Sequence, residues 1–122
     1  MSTPPYQANA EFFKTLGHPA RIRILELLAE RDHAVHELLE AIAIEPSNLS
    51  QQLAVLRRTS LVVSYRNGSD VVYSVSVPEV RDLLLAARRI LSGIIASRGE
   101  LEAELTPTTR VAQRSNRVRS RR

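Results

Sequence analysis

Between Pro46 and Arg58 the chain reads PSNLSQQLAVLRR, a run in which short hydroxyl and carboxamide side chains precede two adjacent arginines. A serine hydroxyl donates and accepts, and the amides of asparagine and glutamine carry an acceptor oxygen beside a donor nitrogen. In a row on a rigid rod, such groups suit flat hydrogen-bonding edges, while guanidinium groups at one end suit phosphate oxygens. Leu49, Leu53 and Leu56 recur at i, i+4 and i+7, the spacing of one buried stripe on an α-helix. On a helical wheel Ser47, Gln51, Ala54 and Arg58 lie opposite that stripe, and Asn48, Ser50 and Gln52 flank it. The exposed face therefore holds no carboxylate and stays uncharged until Arg57 and Arg58.

The rest of the chain must supply elements to hold that rod. Residues 1 to 5 read as a chain end, and from Tyr6 to Leu16 the apolar Ala8, Phe12, Phe13 and Leu16 predict a first helix that Gly17 stops. HPARIRILELLAE opens a second helix with proline in its first turn and repeats Ile22, Leu25, Leu28 and Ile24, Leu27 along it. RDHAV suits a short extended piece, and VHELLEAIAI a short third helix. After Thr59 the period changes to two: LVVSYR and DVVYSVSV are β-branched and aromatic runs separated by NGS, and Asn67-Gly68 predicts a tight hairpin turn. From Pro78 a long last helix carries Val80, Leu83, Leu84, Ala87, Leu91, Ile94 and Ile95 on one broad face, with Gly93 and Gly99 weakening its end.

Composition narrows the chemistry. With 122 residues, a single domain of residues 1–105 and a basic, disordered tail of residues 106–122 fit the pattern. Cysteine is absent, so no disulfide, thiolate metal site or cysteine nucleophile is available. No Gly-rich phosphate loop, metal triad or serine placed with His and Asp stands out, and no enzyme or cofactor is expected. No stretch approaches the roughly 18 to 20 apolar residues that cross a bilayer, so a cytoplasmic protein without a membrane partner is expected. Charge is unevenly placed. Residues 110–122 hold six arginines and no acid, whereas the other 109 residues hold 11 Lys+Arg against 13 Asp+Glu, a net of −2. Within that acidic body the window from Pro46 to Ser69 holds Arg57, Arg58 and Arg66 and no carboxylate, which marks where a polyanion would meet the chain.

Helix, short helix, polar-faced helix and hairpin, in that order, is the plan of a winged helix-turn-helix, mainly α with a small β-hairpin and ordered α-α-α-α-β-β-α. The segments LGHPARIRILELL, SNLSQQLAVLR and LVVSYRNGSDVVYSV resemble the ArsR/SmtB family of bacterial winged-helix repressors from about Phe12 to Leu91. The resemblance implies a homodimer, held by the first and last helices, that binds an imperfect palindrome in double-stranded DNA. By position it makes Ser47, Asn48, Ser50, Gln51 and Gln52 the base-facing and phosphate-facing residues, and Arg66, Asn67 and Gly68 the wing tip. Arg57 and Arg58 stand where the helix leaves the groove. Phe12, Phe13, Leu83, Leu84, Ala87, Leu91 and Ile94 become the dimer surface, which the breadth of the last apolar face also demands.

The chain departs from the family in its metal ligands. Arsenic-type sensors carry Cys-x-Cys where Ala34 and His36 stand, and zinc-type sensors use Asp and His along the last helix, where Val80 to Ile95 offers only Asp82. No metal is expected. Two alternatives stay open: a metal-responsive repressor using His33, His36 and Glu37 or Glu40, and a winged-helix module for protein or RNA. For the effector, a small molecule, a partner protein, an indirect redox cue and constitutive repression all fit.

Overall fold

The computed structural model describes residues 4–105. Its elements run α1 (Pro5–Leu16), α2 (Pro19–Glu30), β1 (His33–Ala34), α3 (Val35–Ala41), α4 (Pro46–Arg58), β2 (Val62–Asn67), β3 (Asp70–Val75) and α5 (Glu79–Leu105). The expected order is present, with the extended piece in RDHAV realised as β1. It pairs antiparallel with β3 through His33↔Tyr73 and Ala34↔Val72, so β3 is the middle strand of a three-stranded sheet. The arginine-rich tail lies outside the described residues. By packing, the chain divides into two units, Met1–Leu84 and Leu85–Arg122.

Local signals explain the helix boundaries of the first unit. Pro5 opens α1 rather than ending a frayed stretch, because a first-turn position needs no N–H, and the Pro4 carbonyl accepts from Gln7 and Ala8. His18 Nδ1 accepts from the Ala20 N–H at 3.2 Å and so caps α2, again with proline in the first turn. α3 stops at Ala41, shorter than its apolar pattern suggested: Ile42 turns extended, yet stays buried in the core. Its other end is held by Glu37, whose carboxylate accepts from the Ala34 N–H at 2.9 Å. Beyond the end of α4, Ser60 takes the left-handed region, φ 66°, where the Leu61 N–H closes onto the Leu56 carbonyl at 3.0 Å and aims the chain into β2.

The core lies beneath α4. Ile24 and Leu25 of α2, Leu38 of α3, Leu49 and Leu56 of α4 and Val62 of β2 are fully buried, and burying each such side chain contributes about 1.5 to 3 kcal/mol. Val80 at the start of α5 joins them, with Leu83 and Leu84 packed half-buried against the same cluster. In the second unit α5 continues through Gly93 and Gly99 to Leu105, since a glycine costs a helix only about 1 kcal/mol. There Ile90, Leu91, Ile94 and Ile95 are all exposed. Among the described residues no helix is long and apolar enough to cross a membrane.

A short side-chain hydrogen bond helps tie the wing to the body. Tyr65 on β2 donates its hydroxyl to Asp32 Oδ2 at 2.6 Å, across the turn between α2 and β1. That bond, helped by a second from Ser74, holds the Asp32 carboxyl below its ordinary pKa and pushes the Tyr65 phenol above its own. A lowered carboxyl contributes stability at neutral pH that is lost as pH falls through its folded pKa, and a raised phenol contributes stability that is lost as pH rises past about 10. Tyr65→Phe therefore lowers the melting temperature at pH 7, and its gap from the wild type narrows toward pH 2. Thermal melts across that range check this; a constant gap would exclude the ionic origin.

Candidate nucleic-acid interface

Three leucines seat α4 and thereby fix what it shows. With Leu49, Leu53 and Leu56 buried, Ser47, Ser50, Gln51, Arg57 and Arg58 are exposed, and Asn48 and Ala54 are half-buried at the margin. Gln51 makes no side-chain hydrogen bond among the described residues, so both ends of its amide are free. Gln52 is placed differently from the sequence reading. It is 7% exposed, because it lies on the α2 side of the helix, and both ends of its amide are already engaged. Its Oε1 accepts from Arg21 Nε at 2.8 Å and its Nε2 donates to Asn48 Oδ1 at 2.9 Å. A buried amide so occupied is not a base-facing group; it belongs to the support beneath the face.

The hairpin supplies the second part. β2 and β3 pair from Val62↔Val75 to Asn67↔Asp70, leaving Gly68 and Ser69 at the tip. Gly68 carries the positive φ, 68°, while Asn67 closes the ladder, so the turn lies one residue later than the Asn67-Gly68 dipeptide suggested. Arg66, Asn67 and Gly68 are all exposed. None of Arg57, Arg58 and Arg66 forms an ion pair among the described residues, and no acid occurs between Pro46 and Ser69 to compete for them. Unpaired guanidinium groups at the end of α4 and on the wing suit oxyanions of a backbone.

The histidine and glutamate metal site does not form. His33 is buried in β1 with Nδ1 2.9 Å from the Arg31 carbonyl, whereas His36 is exposed with Nε2 3.8 Å from Asp70. One ring belongs to the core and the other to the surface, and Glu37 is committed to the start of α3 and to Arg31. Among the described residues no three His, Cys, Asp or Glu side chains are grouped as a metal site would need.

Residues 18–64, from the cap of α2 into β2, match the model of the bacterial regulatory protein family arsR. The HTH-type transcriptional regulator Rv0081 of Mycobacterium tuberculosis is 53% identical over 98 residues, 80% of this chain and 86% of its own. The chain belongs to the arsR family. The Rv0081 crystal structure superposes with a TM-score of 0.73 over 80% of this chain and 98% of that one. The transcriptional repressor BigR from Xylella fastidiosa is 34% identical at a TM-score of 0.66, over 70% of this chain and 87% of its own. As an arsR-family protein the chain is a DNA-binding transcriptional regulator with a winged helix-turn-helix fold, not an enzyme.

Two features of this arsR-family chain lay outside the sequence reading. Arg21 on α2 braces α4 through Gln52, and only the exclusion of acids around α4 hinted that a neighbouring cation could approach from beneath. On α5, Ile90, left off the expected apolar face, is 64% exposed, whereas Leu83 and Leu84 of the expected dimer surface pack on their own core. Phe12 is half-buried and Phe13 is 55% exposed, with their rings edge to face at 5.5 Å.

Proposed function

We propose that the chain is a cytoplasmic repressor that binds a near-palindromic operator as a homodimer. The carrying observation is the outward face of α4, where Ser47, Ser50 and Gln51 stand free on a helix anchored by three buried leucines and cleared of acids. A major groove about 12 Å wide admits such a helix, and short hydroxyl and amide groups reach the base edges within it. Arg57 and Arg58 meet the phosphate strand at the exit of α4, and Arg66, Asn67 and Gly68 meet the flanking backbone. Two copies related by a dyad place their α4 helices in successive major grooves about 34 Å apart.

The second copy covers apolar surface that each protomer leaves open. Phe13 on α1 and Ala87, Leu91 and Ile94 on α5 are exposed, and Ile90 and Ile95 extend the α5 face. An effector, a small molecule or a partner protein, relieves repression by favouring a dimer whose α4 spacing no longer fits. A preference of about 1 to 3 kcal/mol shifts operator affinity by about 5-fold to 150-fold.

Genomic footprinting of the full chain, with sedimentation analysis, tests this reading. The expected result is a dimer protecting sites with two inverted half-sites centred about one helical turn apart. A monomer, or equal affinity for every duplex at physiological salt, overturns it. On the footprinted operator Gln51→Ala costs about 1 to 3 kcal/mol and relaxes preference at one position per half-site, while binding to random duplex is unchanged.

A further inference from the structure

Asn48 sits at the edge of the exposed face with its orientation set from below. The hydrogen bonds of Arg21 to Gln52 and of Gln52 to Asn48 share one direction, and chemistry forces it. A guanidinium has only donors, so the oxygen of the Gln52 amide must face Arg21 and its nitrogen must face Asn48. That nitrogen engages Asn48 Oδ1, which leaves the Asn48 Nδ2 hydrogens for any partner outside. Arg21 is itself held, since its Nη1 donates to the Thr15 carbonyl at 3.1 Å. The polarity of the last amide is thus fixed by a donor-only group two links away, independently of how either amide would otherwise rotate.

We propose that Arg21 and Gln52 are positioning residues that make Asn48 a donor-presenting reader of DNA, selecting guanine or thymine at its position in each half-site. Guanine O6 and N7 and thymine O4 are acceptors in the major groove. Adenine, by contrast, is read by an amide that offers its oxygen to the amino group and its nitrogen to N7 together. Asn48 has its oxygen engaged below, so that paired contact is disfavoured. Gln51, free at both ends, keeps it. Adjacent amides on one helix therefore read different bases because only one of them is wired to an arginine. The inference rests on the operator-reading role proposed for α4.

The test is selection from randomised duplexes with the full chain as wild type, Asn48→Ala, Gln52→Glu and Arg21→Lys. Wild type enriches guanine or thymine at one column per half-site, and Asn48→Ala lowers that preference about 5-fold or more. Gln52→Glu still accepts from Arg21 but offers Asn48 only acceptors, so Asn48 turns its nitrogen inward and its oxygen outward. The same column then moves to adenine or cytosine, whose amino groups donate. Arg21→Lys remains donor-only and keeps the wild-type bases. An unmoved column in a folded Gln52→Glu dimer, or no column responding to Asn48→Ala, overturns the relay and leaves operator binding standing. A wild type that enriches nothing overturns both. A measurement on the unmutated protein adds a check: by NMR without DNA, the Gln52 side-chain amide protons exchange slowly and those of Asn48 quickly, and the reverse order overturns the proposal.

Discussion

Leu56→Ala lowers the free energy of unfolding by about 2 to 5 kcal/mol, a large part of the roughly 5 to 15 kcal/mol that holds such a domain together. Leu56 is 0% exposed and closes the leucine stripe of α4, and its carbonyl also receives the Leu61 N–H that turns the chain into the wing. Alanine keeps the helix but leaves a void that this rigid surround, built from α2, α4 and β2, fills only in part. With about 3 to 6 °C of melting temperature per kcal/mol, between the values for smaller and larger domains, the loss is about 6 to 30 °C. Because self-association makes a melting point depend on concentration, wild type and variant are compared at one protein concentration. Ser50→Ala, on the exposed side of the same helix, stays within about 0.5 kcal/mol. A Leu56→Ala protein that melts with the wild type would mean that α4 is not seated by its leucines.

The elements of the fold were legible because each is written locally. Alternation in VVSYR and DVVYSV marks the wing, Pro19 and Pro46 mark helix starts, and the leucines of α4 mark its inner side. Gln52 was misplaced for a physical reason. Positions 49, 52, 53 and 56 together follow the i, i+3, i+4, i+7 pattern of a buried face, so the period already put Gln52 inward, but polarity argued that it should face water. What reconciles the two is Arg21, 31 residues earlier, and a pairing over that distance has no local signature. The two-residue strand β1 depends likewise on Tyr73 and Val72, which meet it only once the hairpin has folded back. On α5 the breadth of the apolar arc was readable. Its division into Leu83 and Leu84, which serve their own core, and Leu91 and Ile94, which stay open, was not, because helical phase alone cannot say where the neighbouring elements stop.

Removing residues 110–122 flattens the salt dependence of operator binding and leaves the ranking of operator sequences as it was. The argument is electrostatic. Those residues carry six arginines, and without them the chain has a net charge of −2 that opposes approach to DNA. Each phosphate neutralised adds about 0.9 to the slope of log affinity against log salt, so six contacts account for a slope of about 5 per chain. The proposed dimer brings two such segments. At low salt the truncated protein therefore loses more affinity than any single substitution on α4 removes, and the loss shrinks as salt rises and counterions screen what the arginines would have met. Sequence preference follows a different rule, because phosphates are the same at every site: the selected half-sites remain those that Gln51 and its neighbours dictate. Binding isotherms for full-length and truncated protein at several salt concentrations, on the operator and on random duplex, separate the two effects. Equal slopes would remove the arginines from the mechanism; a changed half-site would mean that they reach the bases.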